Sequence, residues 1–236
     1  MRKLVFGFAL AALGSSSVWP DPPIGSRLGE RTEKRAMARE SDAAIAAHEI
    51  ARCMVERKPR EVTAFLAEID SDQSSKDVRK LGATLDCFAM GGDENAEATM
   101  VQFPRDVMRG MLSEAIILSS RQTYAALPIR AAQRSYSRAW FSVSGRHGSV
   151  DEMATCVADV SPAGVVALIE TAPYSDKERS AIGTIAPTLG SCLVAGAKVD
   201  ANRQSLRAAL ADALYQRIAN PQEIAPSTTP KSERGK

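Results

Sequence analysis

The chain has 236 residues, of which 44% are hydrophobic and 5% aromatic, with a net charge of +2. That apolar share is enough to build a core and excludes a wholly disordered chain. The near-balanced charge names no partner by itself, and nucleic acid is not expected. Abundant alanine with few aromatic side chains favours closely packed helices over an aromatic-rich β-sandwich. The expected fold class is all-α: two tandem diverged four-helix units, each with one disulfide inside the unit, joined by a helical connector.

At the start of the chain, Arg2 and Lys3 precede an apolar run from Leu4 to Leu13 and small polar residues from Gly14 to Ser17. This is the order of an export signal over 1–17, and several small residues compete for the cleavage position. The apolar run would make a helix of roughly 15 Å, about half a bilayer core. No cysteine near it invites lipid attachment, and no later run is long enough to span a membrane. A periplasmic or extracellular destination is expected. Residues 18–42, rich in charge, proline and glycine, are expected to form a flexible tether.

The first unit is expected over 43–120, with helices at 43–57, 60–70, 75–90 and 104–119. Val62, Phe65, Leu66 and Ile69 fall at i, i+3, i+4 and i+7, the spacing of one helical face. Residues 121–149 form the connector. Between 115 and 150 there are five arginines and no aspartate or glutamate. Arg130, Arg134 and Arg138 recur every four residues, and Tyr136 and Trp140 have the same spacing on another face. The segment is therefore expected to be a basic helix after Pro128.

The second unit is expected over 150–218, with helices at 150–160, 162–172, 176–195 and 202–218. Ser161 before Pro162 reads as a helix start, Ser175 with Glu178 as a capping box, and Gly91 and Gly196 as stops for the third helix of each unit. Pro187 is expected to kink that third helix in the second unit. Residues 219–236 contain three prolines and almost no apolar side chains, the composition of a disordered tail.

The two units share an order of residues. Ala51, Cys53, Pro59, Val62, Phe65 and Leu66 match Ala154, Cys156, Pro162, Val165, Leu168 and Ile169 at a shift of 103. Arg105, Met108, Arg109, Leu112, Glu114 and Ala115 match Arg203, Leu206, Arg207, Leu210, Asp212 and Ala213 at a shift of 98. An internal duplication is the economical explanation. It pairs Cys53 with Cys87 and Cys156 with Cys192, out of three possible connectivities. An oxidising compartment would keep such bonds, and neither a zinc site nor a Cys-x-x-Cys redox or haem site has the needed spacing.

Local chemistry is sparse. His48-Glu49 begins like a zinc-protease helix, but Arg52 stands where the second histidine belongs, so His48 is expected to be an ordinary helix-face residue. His147 lies in a glycine-bounded turn without a serine elbow or reactive-cysteine motif. Glu68, Asp70, Asp72, Asp93, Glu94, Asp151 and Glu152 supply dispersed carboxylates that suit helix ends and loops. The repeated arginines, Arg105 with Arg203 and Arg109 with Arg207, are expected to pair with carboxylates rather than bind an anion. No cofactor or metal motif occurs.

The function expected from these features is non-enzymatic binding of a protein or cell-envelope component. A hydrolase using dispersed Asp/Glu residues or His147 is the competing class. A third expectation is binding of an anionic lipid or polymer through Arg130, Arg134 and Arg138, with Tyr136 and Trp140 beside them.

Overall fold

The computed structural model describes residues 41–70, 72–73, 76, 81, 87, 104–120, 124–193 and 202–220. All of them belong to one compact unit, Glu40–Lys236. The expected signal over 1–17, nearly all of the tether, the tail beyond residue 220, and Asp93, Glu94, Gly91 and Gly196 lie outside the described residues.

Among the described residues there are helices and no strands. Residues 41–57 form α1, Pro59–Ala67 α2, Arg105–Ser119 α3, Gly148–Val160 α4, Pro162–Ile169 α5, Asp176–Ser191 α6 and Arg203–Ala219 α7. Leu81 and Cys87, also helical, are buried. The helix starts follow local chemistry. Pro59 and Pro162 stand at first positions, where the missing N–H costs nothing. Ser175 Oγ accepts from Glu178 N at 3.1 Å, and Asn202 Oδ1 from Ser205 N at 2.8 Å. Glu178 closes its side of the cap one residue further out than a standard capping box, accepting from Tyr174 N at 2.8 Å.

The core is continuous. Val62, Phe65 and Leu66 of α2, Met111 and Leu112 of α3, Val165 and Leu168 of α5 and Leu210 and Leu214 of α7 belong to one buried cluster. The two halves of the sequence therefore share a single core. The helix α7 is buried from Leu206 to Arg217, all the way round, which marks it as a central element rather than a surface one. α4 and α5, bent by 105° at Ser161, are apolar core helices, and no single helix is long and apolar enough to cross a membrane among the described residues.

Two disulfides, Cys53–Cys87 and Cys156–Cys192, each join Cα atoms 5.7 Å apart. They span 34 and 36 residues, so in the chain-entropy model each contributes about 3 to 4 kcal/mol. They point to an oxidising, extracytoplasmic location.

The connector corrects the sequence expectation. Residues 127–138 are not helical, and among the described connector residues ahead of α4 the helical ones are two short 3-10 turns, Tyr124–Ala126 and Ala139–Val143. The reason is tertiary hydrogen bonding. Arg217 of α7 donates to Pro128 O, a carbonyl that a helix would use internally, and Arg130 N donates to Asp159 O at the end of α4 at 2.9 Å, so the segment is held extended between α7 and α4. Smaller corrections concern element ends. The helix α1 already includes Ser41 and Asp42, α2 stops at Ala67 and leaves Ile69 exposed beyond it, α5 stops at Ile169, and α6 stops at Ser191, well short of Gly196. Pro187 is accommodated inside α6.

Candidate functional site

The helices α3 and α7 cross in antiparallel sense, as two pairings show: residue 109 meets 212, and 114 meets 207. Their backbones touch at Gly110, where an added Cβ would fall on the backbone of Ala208. Only glycine permits that approach. On either side of the crossing lies a buried arginine that serves two purposes. Arg109 donates through Nη1 to Phe65 O at 3.2 Å and through Nη2 to Leu66 O at 3.1 Å. Arg207 donates through Nη2 to Ile169 O and Thr171 O, both at 2.8 Å. Each arginine thus satisfies the orphan carbonyls at the end of a short helix, α2 or α5.

Each arginine also meets a carboxylate on the opposite central helix. Arg109 Nε donates to Asp212 Oδ2 at 3.2 Å. Arg207 grips Glu114 with two bonds, Nε to Oε2 at 2.7 Å and Nη2 to Oε1 at 2.8 Å. Positions 98 apart in the sequence, 109 with 207 and 114 with 212, therefore pair crosswise.

On the Asp212 side, the connector closes the site. Arg146 reaches in with Nη2 on Asp212 Oδ2 at 2.5 Å, Nε on Asp151 Oδ1 at 2.7 Å and Nη1 on Asp106 O at 3.0 Å. Ser144 Oγ donates to Asp151 Oδ2 at 2.6 Å, and Ser113 Oγ to Asp212 Oδ1 at 3.3 Å. Gly145, at φ 79°, turns the chain so that its neighbours on both sides face inward. Burial alone would push the Asp212 carboxyl up, but Arg109 and Arg146 outweigh it and hold the group below its usual range. At Asp151 burial wins, aided by the charge of Asp212, and the carboxyl is pushed up.

On the Glu114 side, the site opens into a cleft of about 360 Å³. Glu114 and Arg207 line its floor with His48, whose Nδ1 is 3.1 Å from Glu114 Oε1 and whose Nε2 is 3.0 Å from Gln204 Nε2. With Nδ1 donating to the carboxylate, Nε2 accepts from the amide, so neither ring nitrogen faces the cleft unoccupied. Burial, the largest influence on Glu114, raises its pKa, but the hydrogen bonds from Arg207 and His48 reverse the direction and hold it below its usual range. Arg207 in turn donates to Glu178 Oε1 at 2.9 Å. The walls are largely apolar: Ile45, Met111, Leu118, Ile169, Ala172 and Pro173. Ile45 and Leu118 remain 40% and 43% exposed at the mouth.

The residues singled out from sequence fall in several places. The four cysteines form the two staples. His147 is exposed and caps its own helix, with Nδ1 2.8 Å from Ser149 Oγ. Glu68 and Asp70 accept backbone amides of the residues just after them, Asp72 is exposed, and Asp151 is engaged by Arg146 and Ser144. These contacts do not converge on one pocket. Of the connector arginines, Arg130 and Arg138 line one small recess with Trp140 and Asp159, where Arg130 lies 3.5 Å from Asp159 and Arg138 sits over the Tyr136 ring, whereas Arg134 is exposed and outside that lining. Tyr136 and Trp140 are buried.

Sequence reasoning missed the floor of the cleft. His48 is not an ordinary helix-face residue but a buried partner of Glu114, and Arg146 was not distinguished from the other connector arginines. The available signal was the matched pair Glu114 and Asp212 beside the matched arginines. Among the described residues, no group of three histidine, cysteine, aspartate or glutamate side chains is placed to hold a metal ion. Comparison with protein-family models, with curated proteins and with solved structures finds no match to this chain.

Proposed function

We propose that this chain is an exported, non-enzymatic binding module, built by duplication of a helical unit, whose working face is the cleft above Glu114. The observation that carries this reading is the saturation of the cleft floor. Glu114 is held by Arg207 and His48, Arg207 by two carboxylates and two carbonyls, and both nitrogens of His48 are engaged. General acid or base chemistry needs a group free to reach the substrate's proton. What the cleft offers instead is largely apolar wall over a neutralised floor, with exposed Ile45, Leu118 and Glu170 in its lining. Such a surface binds by burying area rather than by transferring protons.

The reading is tested by placing a photocrosslinking side chain at position 118 or, as a control, at 129 in the protein produced by its native cell. Ile129 is 76% exposed and does not line the cleft. A discrete partner captured from position 118 and not from 129, and lost when Ile45 is changed to glutamate, is expected. Identical capture from both positions, or none from 118, overturns the assignment of this face.

A further inference from the structure

The two sides of the central crossing differ in what fills them. At shifts of 103 and 98, the cleft residues Arg52, Ala115 and Leu118 correspond to Thr155, Ala213 and Gln216. Those three residues line one small recess together with the buried Trp140. Ala172 corresponds to Ile69, whose carbonyl accepts from Ser142 Oγ at 3.3 Å. His48 and Glu114 correspond to Asp151 and Asp212, both bound by Arg146. The connector turn Ala139–Val143 and the arginine after it thus occupy, on the Asp212 side, the place that is open on the Glu114 side.

From this correspondence we infer that the cleft receives an aromatic-bearing turn of a partner polypeptide, docking as Trp140 and Phe141 dock within the chain. The inference rests on the reading of the cleft as a binding face and names its occupant. At a shift of 103 the aromatic pair falls on Met37 and Ala38, and the one tryptophan ahead of α1, Trp19, stands between Val18 and Pro20, so the adjacent pair is not repeated there. Charge defines the occupant further. On the Asp212 side, Asp212 and Asp151 face Arg109 alone until Arg146 arrives. On the Glu114 side, Glu114 and Glu178 already face Arg207 and, at 4.0 Å from Glu178, Arg203, and the cleft lining adds one carboxylate, Glu170, and one guanidinium, Arg52. The occupant therefore inserts no charge. It presents an uncharged aromatic tip to Met111 and Leu118, with the exposed guanidinium of Arg52 at the mouth available to its ring.

The test uses the full chain, with both disulfides formed, and a terminally capped peptide of residues 139–145, which carries Trp140 and Phe141 and no charge. Methyl NMR reports where the peptide binds. Saturable shifts at Met111 and Leu118 are expected, with affinity at least about tenfold lower for the W140A peptide, as for loss of a tryptophan anchor. Leu118→Glu, at a partly exposed position, abolishes the shifts, and Ile129→Glu leaves them unchanged. The inference is overturned by the absence of saturable shifts, by equal binding of the W140A peptide, or by shifts confined to Ala213 beside the native connector. A concentration-dependent dimer lost with Leu118→Glu also overturns it, in favour of a second copy. A partner crosslinked from position 118 in cells, together with a peptide that fails to bind, removes the aromatic occupant and leaves the binding face standing.

Discussion

The Asp212 and Glu114 sides of the α3–α7 crossing start from the same components: an arginine that caps a short helix and a carboxylate from the opposite helix. They end differently. Asp212 is shut away from solvent beneath Arg146 and the Trp140 turn, whereas Glu114 borders an open cleft. The difference comes from what covers each buried ion pair, since the pairs themselves are nearly alike. A charge pair is expensive to bury, and removing one partner leaves the other uncompensated. The same motif can therefore act as a lock when a plug covers it, and as the polar floor of a recess when nothing does.

The largest effect expected from breaking this comparison is at Asp212. Asp212→Asn leaves Arg109 without a carboxylate and Arg146 with Asp151 alone in a dry site, and should cost about 3–5 kcal/mol in urea unfolding. Glu114→Gln should cost less, about 1–3 kcal/mol, because water can enter from the cleft. Equal costs would show that the cover makes no energetic difference. Trp140→Ala should cost about 3–5 kcal/mol by leaving a cavity in the plugged side, and should make that side resemble the open one. Replacing either cysteine pair by serine should cost about 3–4 kcal/mol, with little difference between them because the loops are nearly equal in length.

Acid sharpens the comparison further. Asp212 and Glu114 both titrate below their usual range when folded. The stability they contribute is complete above the ordinary carboxylate range and is lost as pH falls through and below it. Asp151, raised by burial, acts in the opposite direction, favouring the fold in acid and losing that contribution as pH rises. Denaturation followed from neutral to acidic pH should therefore show a falling stability whose slope is reduced in Asp212→Asn, and an unchanged slope in that variant would contradict the assignment. The smallest effect is expected for Leu118→Glu, within about 0.5 kcal/mol, since the side chain is partly exposed at the cleft mouth.

Much of the local structure was legible in the chain. Proline at a first helical position, the Ser175 cap and the spacing of Val62, Phe65 and Leu66 act within a turn or two, so their consequences can be read from neighbours in sequence, whereas Ile69, read onto the same face, lies beyond the end of α2 and is exposed. The cysteine pairing was legible because residues with the same order in the two halves implied the same staple in each. The connector was misread for the complementary reason. Its four-residue arginine spacing suits a helix, but Arg217, distant in sequence, takes Pro128 O, and Asp159 O takes the amide of Arg130.

By itself, the sequence determined the helical class of the described residues, their main helix starts and two cysteine staples, because these depend on backbone chemistry and short-range periodicity. Only the tertiary structure decided that Arg109 and Arg207 each answer the carboxylate of the other half, that His48 is drawn onto Glu114, and that Trp140 plugs one side. Those outcomes depend on the close approach of α3 and α7 at Gly110, and a pairing across about 100 residues leaves no spacing in the sequence from which its partner can be read.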